Sequence, residues 1–347
     1  MVMQDGGVVD VRPGPGPGRA AAEHDRAYRT AGAALGLYGA VLTAWTVYGI
    51  VQGDGSVWDF FEGLFNPRAS FFMWTLGPGE WALVVALLAV AGCALARRRV
   101  ARTGALLLGW VILAQSAREI VGLCHAGYRR LYAVEHLGGL VLATRALGLV
   151  AALVVVVSLL PAAERADAPG ADSWWRRRLS RICGVLFLAL GAVRLAWTAW
   201  GMAQDRLDVG PYLHRAVDAS RNASVQLSNS TEFTTLSSVI VLAVLGVLAV
   251  RGRRDVRGAL LVFAAVELYL TVRTVVLLTV TGFFGGPFVT GESVVSLVTT
   301  AYELAATTSV VVLATGRSFS AYGAPGPQRS GPYGGGNPRS WPDGRAG

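Results

Sequence analysis

The chain contains eight apolar segments of membrane-spanning length, and this constrains its fold more than any other feature. They cover approximately 30–52, 79–96, 103–124, 137–160, 182–203, 233–250, 258–281 and 293–315. A helix needs about 20 apolar residues to cross the hydrocarbon core of a bilayer. The segments lack the alternation of a membrane β-barrel, and without water at that depth only helices satisfy the backbone. The predicted fold class is an all-α integral membrane protein with eight transmembrane helices. Composition agrees: 53% of the 347 residues are hydrophobic, only 15% are charged, and the mean hydropathy is +0.47.

Orientation follows from the basic residues. All 31 are Arg, a bias that suits a high-GC bacterial source. With the N-terminus in the cytoplasm, the inner segments hold 21 Arg against 9 acidic residues, and the outer loops 6 Arg against 10. The positive-inside rule then places both termini in the cytoplasm, and the bacterial plasma membrane is the expected location. The same distribution accounts for the net charge of +9 without nucleic acid as a partner. No apolar run precedes residue 28, so the first helix is expected to serve as its own insertion signal.

An internal repeat sets the domain organisation. Residues 39–52 and 191–204 are identical at eight of fourteen positions, including Trp45-Thr46 with Trp197-Thr198, two Gly, and Gln52 with Gln204. Gly-Ala-Leu-Leu at 104–107 recurs at 258–261, each after an Arg cluster, and Glu135 and Glu292 each precede a last helix. The expectation is two tandem, parallel four-helix units at 29–160 and 182–316, since an even helix number preserves orientation. A cytoplasmic Trp/Arg linker at 161–181 joins them, with Trp174 to Arg178 as an interface anchor. The Gly/Pro-rich tails at 1–28 and 317–347 are expected to be disordered.

Seven ionisable residues fall within the apolar segments: Arg118, Glu119, Arg145, Arg194, Glu267, Arg273 and Glu303. Each costs roughly 2.5–3.5 kcal/mol at a helix centre. Arg145 and Glu303 are expected to pair across the pseudo-twofold axis, with Glu267 deeper toward the cytoplasm. Helical spacing places Gln115, Glu119 and Gly122 on one interior face, and Glu267, Thr271 and Thr274 on another. The cluster reads either as ion pairs that hold helices in register or as a cavity that binds an anionic lipid or small solute through its arginines. A proton relay through Glu267 and Glu303 is a further option.

Other signals are weaker. His125 and His136 near Cys124 lack metal-ligand spacing and read as interfacial, so no metal and no cofactor are expected. Of Cys93, Cys124 and Cys183, only Cys124 lies near the outer face, which excludes an intramolecular disulfide there. Gly282 to Pro287 reads as a helix stop, and the sequons at Asn222 and Asn229 are adequately explained by a Ser/Asn-rich loop. Common catalytic and nucleotide-binding motifs are absent. The leading functional expectation is therefore a non-enzymatic scaffold or envelope-associated factor in the lipid bilayer. The alternatives are the anionic-lipid or solute carrier and a membrane enzyme acting on a lipid or quinone.

Overall fold

The computed structural model describes residues 19–52, 56–66, 76–162, 172–204, 206, 208–221, 227–252, 256–283 and 291–315. Most of both tails, Asn222 and most of the 282–287 turn lie outside the described residues. So do the side chains of Trp174, Trp175, Arg176, Arg177 and Glu292. Among the described residues there is no strand, and eight helices are long and apolar enough to cross a membrane. The chain is an all-α, multi-pass integral membrane protein.

The spanning helices are α1 (Asp25–Gln52), α3 (Pro78–Leu95), α4 (Arg99–Leu123), α6 (Gly138–Leu159), α7 (Asp172–Gln204), α9 (Thr231–Val250), α10 (Arg257–Val280) and α11 (Gly291–Thr315). Three short helices lie between spans at one end: α2 (Val57–Phe65), α5 (Ala126–Val134) and α8 (Val209–Val217). Hydropathy does not find these, because nine residues cannot span a bilayer. Local chemistry does define α2. Its Ser56 cap accepts from the Asp59 amide at 3.2 Å while Asp59 Oδ2 accepts from the Ser56 amide at 2.7 Å, a capping box. Trp58 and Phe61 on α2 are exposed, which suits an amphipathic helix in the headgroup layer.

Two boundaries differ from expectation. Residues 19–28 are ordered: Ala20 donates to the Arg97 carbonyl at 2.8 Å, Arg99 Nε donates to the Arg19 carbonyl at 2.8 Å, and Tyr28 is fully buried. Arginines in the α3–α4 turn bind this stretch, a long-range contact that composition cannot reveal. In addition, α7 starts at Asp172, well before the apolar run at 182.

The first half packs α1 against α3 and α6, and α4 against α3 and α6. The second packs α7 against α9 and α11, and α10 against α11. Each half has its own hydrophobic core. Between them α10 lies on α4 and α3. Gly258 makes this approach possible, because a Cβ there would lie 1.9 Å from the Val100 carbonyl oxygen. Small residues at a helix crossing allow the backbones to meet without apolar driving force from water.

Matching contacts recur in the two halves. Trp45 Nε1 donates to Thr144 Oγ1 at 2.9 Å, and Trp197 Nε1 to Thr299 Oγ1 at 3.2 Å. Arg102 Nε donates to the Leu159 carbonyl at 3.0 Å, and Arg257 Nε to the Ala314 carbonyl at 2.6 Å. Gly32 rests against Ala91 O and Leu95 N, Gly184 against Gly246 O and Val250 N. These pairs fix the register: an offset of 152 in the first helix and in α2 versus α8, and 155 in the other three spans. The Gly-Ala-Leu-Leu motifs are one residue out of this contact register.

Candidate functional site: two buried charge networks

The first network lies beneath the short helices. Glu119 is about one turn from the end of α4, and Arg145 reaches it from α6 with Nη2 at 3.5 Å from Oε1. Both are buried, at 4% and 6% exposure. Tyr128 and Tyr132, one turn apart on α5, donate their hydroxyls to Glu119 Oε2 at 3.0 and 3.1 Å. Burial pushes the Tyr132 phenol up to about 12, with the Glu119 charge adding to it, and pushes Tyr128 up further for the same two reasons. Both phenols therefore stay neutral donors at physiological pH.

The loop of the second half closes over this network. Arg145 Nη2 donates to the Leu227 carbonyl at 2.9 Å, and Arg118 Nη2 to the Arg215 carbonyl at 3.2 Å and Ser230 Oγ at 3.1 Å. The Arg118 guanidinium also lies 5.5 Å from the Phe233 ring centre. Asn229 donates its amide to Glu80 Oε1 at 2.9 Å, so this sequon asparagine is engaged at the α3 terminus. The cavity lined by Arg145, Gln115, Glu80 and Asn229 has a volume of about 10 Å³, room for no more than one water.

His125 and His214 meet the buried Asp218 carboxylate above the network, at 3.3 and 3.6 Å from Oδ2. Burial opposes ionisation of Asp218. The Ser220 amide bond at 2.8 Å and the two imidazoles outweigh it, and hold its pKa below the usual value. His125 thus has a partner just beyond the end of α8 that sequence did not suggest. Among the described residues no group of three His, Cys, Asp or Glu side chains is arranged to hold a metal.

The second network lies near the middle of the spanning helices and draws one side chain from each span of the second half. Arg194 (α7) forms a two-pronged pair with Glu267 (α10), Nη1 to Oε1 at 2.9 Å and Nη2 to Oε2. Its Nε donates to Glu303 Oε1 (α11) at 3.2 Å. Ser238 (α9) donates to Glu267 Oε1 at 2.9 Å and accepts from Arg194. Each charged member lies about ten residues from a helix end, roughly 15 Å.

The expected Arg145–Glu303 pair does not form. Arg145 binds Glu119 and Glu303 binds Arg194, because α6 packs on α4 while α11 packs on α7 and α10. Each of the three carboxylates finds its arginine within its own half, whereas Arg118 reaches the Arg215 carbonyl and Ser230 of the other half. Glu267 is level with Arg194 and Glu303, not deeper. Gln115, Glu119 and Gly122 share a buried face as expected. On α10, Glu267 and Thr271 are buried but Thr274 is exposed and bonds its own helix. Arg273 is half-buried on α10, about two turns beyond Glu267. Sequence reasoning missed Tyr128, Tyr132, Asp218 and Ser238. The i, i+4 spacing of the two tyrosines was the one available signal.

No family model matches the chain, and comparison with curated proteins and with solved structures gave no match.

Proposed function

We propose that this chain is a non-enzymatic scaffold of the bacterial plasma membrane. It is built as two tandem four-helix units, with the arginine-rich connections and both termini in the cytoplasm. One observation carries the reading: the intramembrane carboxylates are all bound to arginines of neighbouring helices, around a space of about 10 Å³ in the first network. A carrier of an anionic lipid needs guanidinium groups turned toward a space the size of a headgroup. Arg118 and Arg145 instead donate to the backbone carbonyls of Arg215 on α8 and of Leu227, and Arg194 to two carboxylates. Buried arginines so engaged favour fixed helix placement over ligand exchange.

The test is binding of anionic lipid by the purified protein in phosphatidylcholine vesicles doped with labelled phosphatidylglycerol. The scaffold reading expects no saturable binding beyond that of an annular shell. Saturable binding that disappears in Arg145→Gln would replace it with the carrier reading.

A further inference from the structure

We propose that Glu303 is a proton-binding site at the membrane midplane, which takes up a proton on its Oε2 and releases it as local pH rises. This goes beyond a scaffold role and does not depend on it.

The argument starts from charge. Among the described residues Arg194 is the one cation bonded within the network, and it faces two carboxylates. With all three ionised, the network bears a net negative charge in the middle of the hydrocarbon, where such a charge is strongly disfavoured. One proton removes it. The groups around Glu303 are few. From α7 the charged group that faces it is Arg194, and from α10 it is Glu267. On its own helix, Tyr302 turns its hydroxyl away to the Leu186 carbonyl at 3.4 Å. Arg273 lies about 9 Å along α10 from Glu267, toward the end with the short helices.

Geometry selects the carboxylate. Both Glu267 oxygens are engaged, by the two Arg194 prongs and by Ser238, and the side chain is 4% exposed. Glu303 accepts one bond, through Oε1, and is 22% exposed. Its Oε2 has no hydrogen-bond partner among the described residues. A proton on Oε2 leaves the Arg194 bond to Oε1 in place, so uptake needs no repacking.

The other half supplies an independent observation. At the matching positions stand Leu42, Leu83, Ile112 and Gly148, packed in an apolar core. The first half therefore keeps an apolar core where the second carries Arg194, Ser238, Glu267 and Glu303. A charged set confined to one half, at the depth where charge is least tolerated, marks a functional group as well as a helix contact.

Dicyclohexylcarbodiimide, an apolar reagent that attacks protonated carboxyls, tests this on the full chain in vesicles. Peptide mapping reads the modified residue. The expected label is on Glu303, and it falls as pH rises because the reagent attacks only the protonated carboxyl. Glu303→Gln removes it. Glu267→Gln also lowers it several-fold, because Arg194 then faces one carboxylate and keeps it ionised. Failure to label Glu303 at any pH from about 5 to 8, or a label unchanged in Glu267→Gln, overturns the proposal. So does protection by sodium at constant pH, which would assign the compensating charge to a metal cation. The pH and sodium series use the unaltered protein, so they decide the matter even if a variant misfolds.

Discussion

Arg194 occupies on α7 the position that Leu42 occupies on α1. Leu42 is 4% exposed and packs in an apolar core, whereas Arg194 is held by Glu267, Glu303 and Ser238. The interior is thus apolar in one half and charged in the other at these positions.

Exchange of one interior for the other is a direct consequence. Arg194→Leu alone leaves two buried carboxylates without their cation and is expected to cost about 3–5 kcal/mol. Arg194→Leu with Glu267→Ile and Glu303→Ala reproduces the apolar pattern of the first half and is expected to recover most of that loss. Denaturant melts in detergent micelles check both variants. A triple variant less stable than Arg194→Leu would contradict the equivalence of the halves.

The seam makes a separate demand. A Cβ at Gly258 would lie 1.9 Å from a backbone oxygen, an atom that cannot move aside as a side-chain tip can. Gly258→Ala is therefore expected to lower the melting temperature and to weaken the α4–α10 contact. Gly139→Ala, where nothing lies within 4 Å, is the control and is expected to be near neutral. Equal effects would remove the argument for close backbone approach.

Much of this was legible in the sequence, and the part that was not has a physical reason. Hydropathy located all eight spans, because the bilayer imposes a length on them. It also located the charged residues in depth, to within about a turn for most and less well for Glu267. Partner choice was not legible. Depth says nothing about which way a side chain faces around the helix axis or which helix is adjacent, so Arg145 was matched to Glu303 on depth and on the equivalence of their helices. The short helices α2, α5 and α8 were missed because their signals are caps and paired aromatics, not long apolar runs. Ser238 was missed because a lone serine in an apolar helix has no pattern.

Titration of the two short-helix groups gives opposite signs. The Asp218 pKa is lower folded than unfolded, so its contribution is present above the ordinary carboxylate value of 3.8 and disappears as pH falls through the lower folded value. The Tyr132 pKa is raised from 10.0 to about 12, so its contribution is full below 10 and is lost as pH rises from 10 through 12. Phenolate absorbance at high pH is the measurement for Tyr132. The Tyr132→Phe difference spectrum should appear near pH 12, and appearance near 10 would mean that the hydroxyl is not buried against Glu119.

Topology is testable with the native thiols. Cys124, at the end of α4 that carries the short helices, is exposed. Cys93 lies near the opposite, arginine-rich end of the bundle. A membrane-impermeant maleimide added to intact cells is expected to label Cys124 and to leave Cys93 unlabelled. The reverse pattern would invert the orientation.

The central claim is that each intramembrane carboxylate pairs with an arginine of its own half. A double-mutant cycle between Glu119→Gln and Arg145→Gln tests it most directly, set beside one between Arg145→Gln and Glu303→Gln. The expected coupling is about 0.5–3 kcal/mol for the first pair and close to zero for the second. Strong coupling between Arg145 and Glu303, with none between Arg145 and Glu119, would contradict the account.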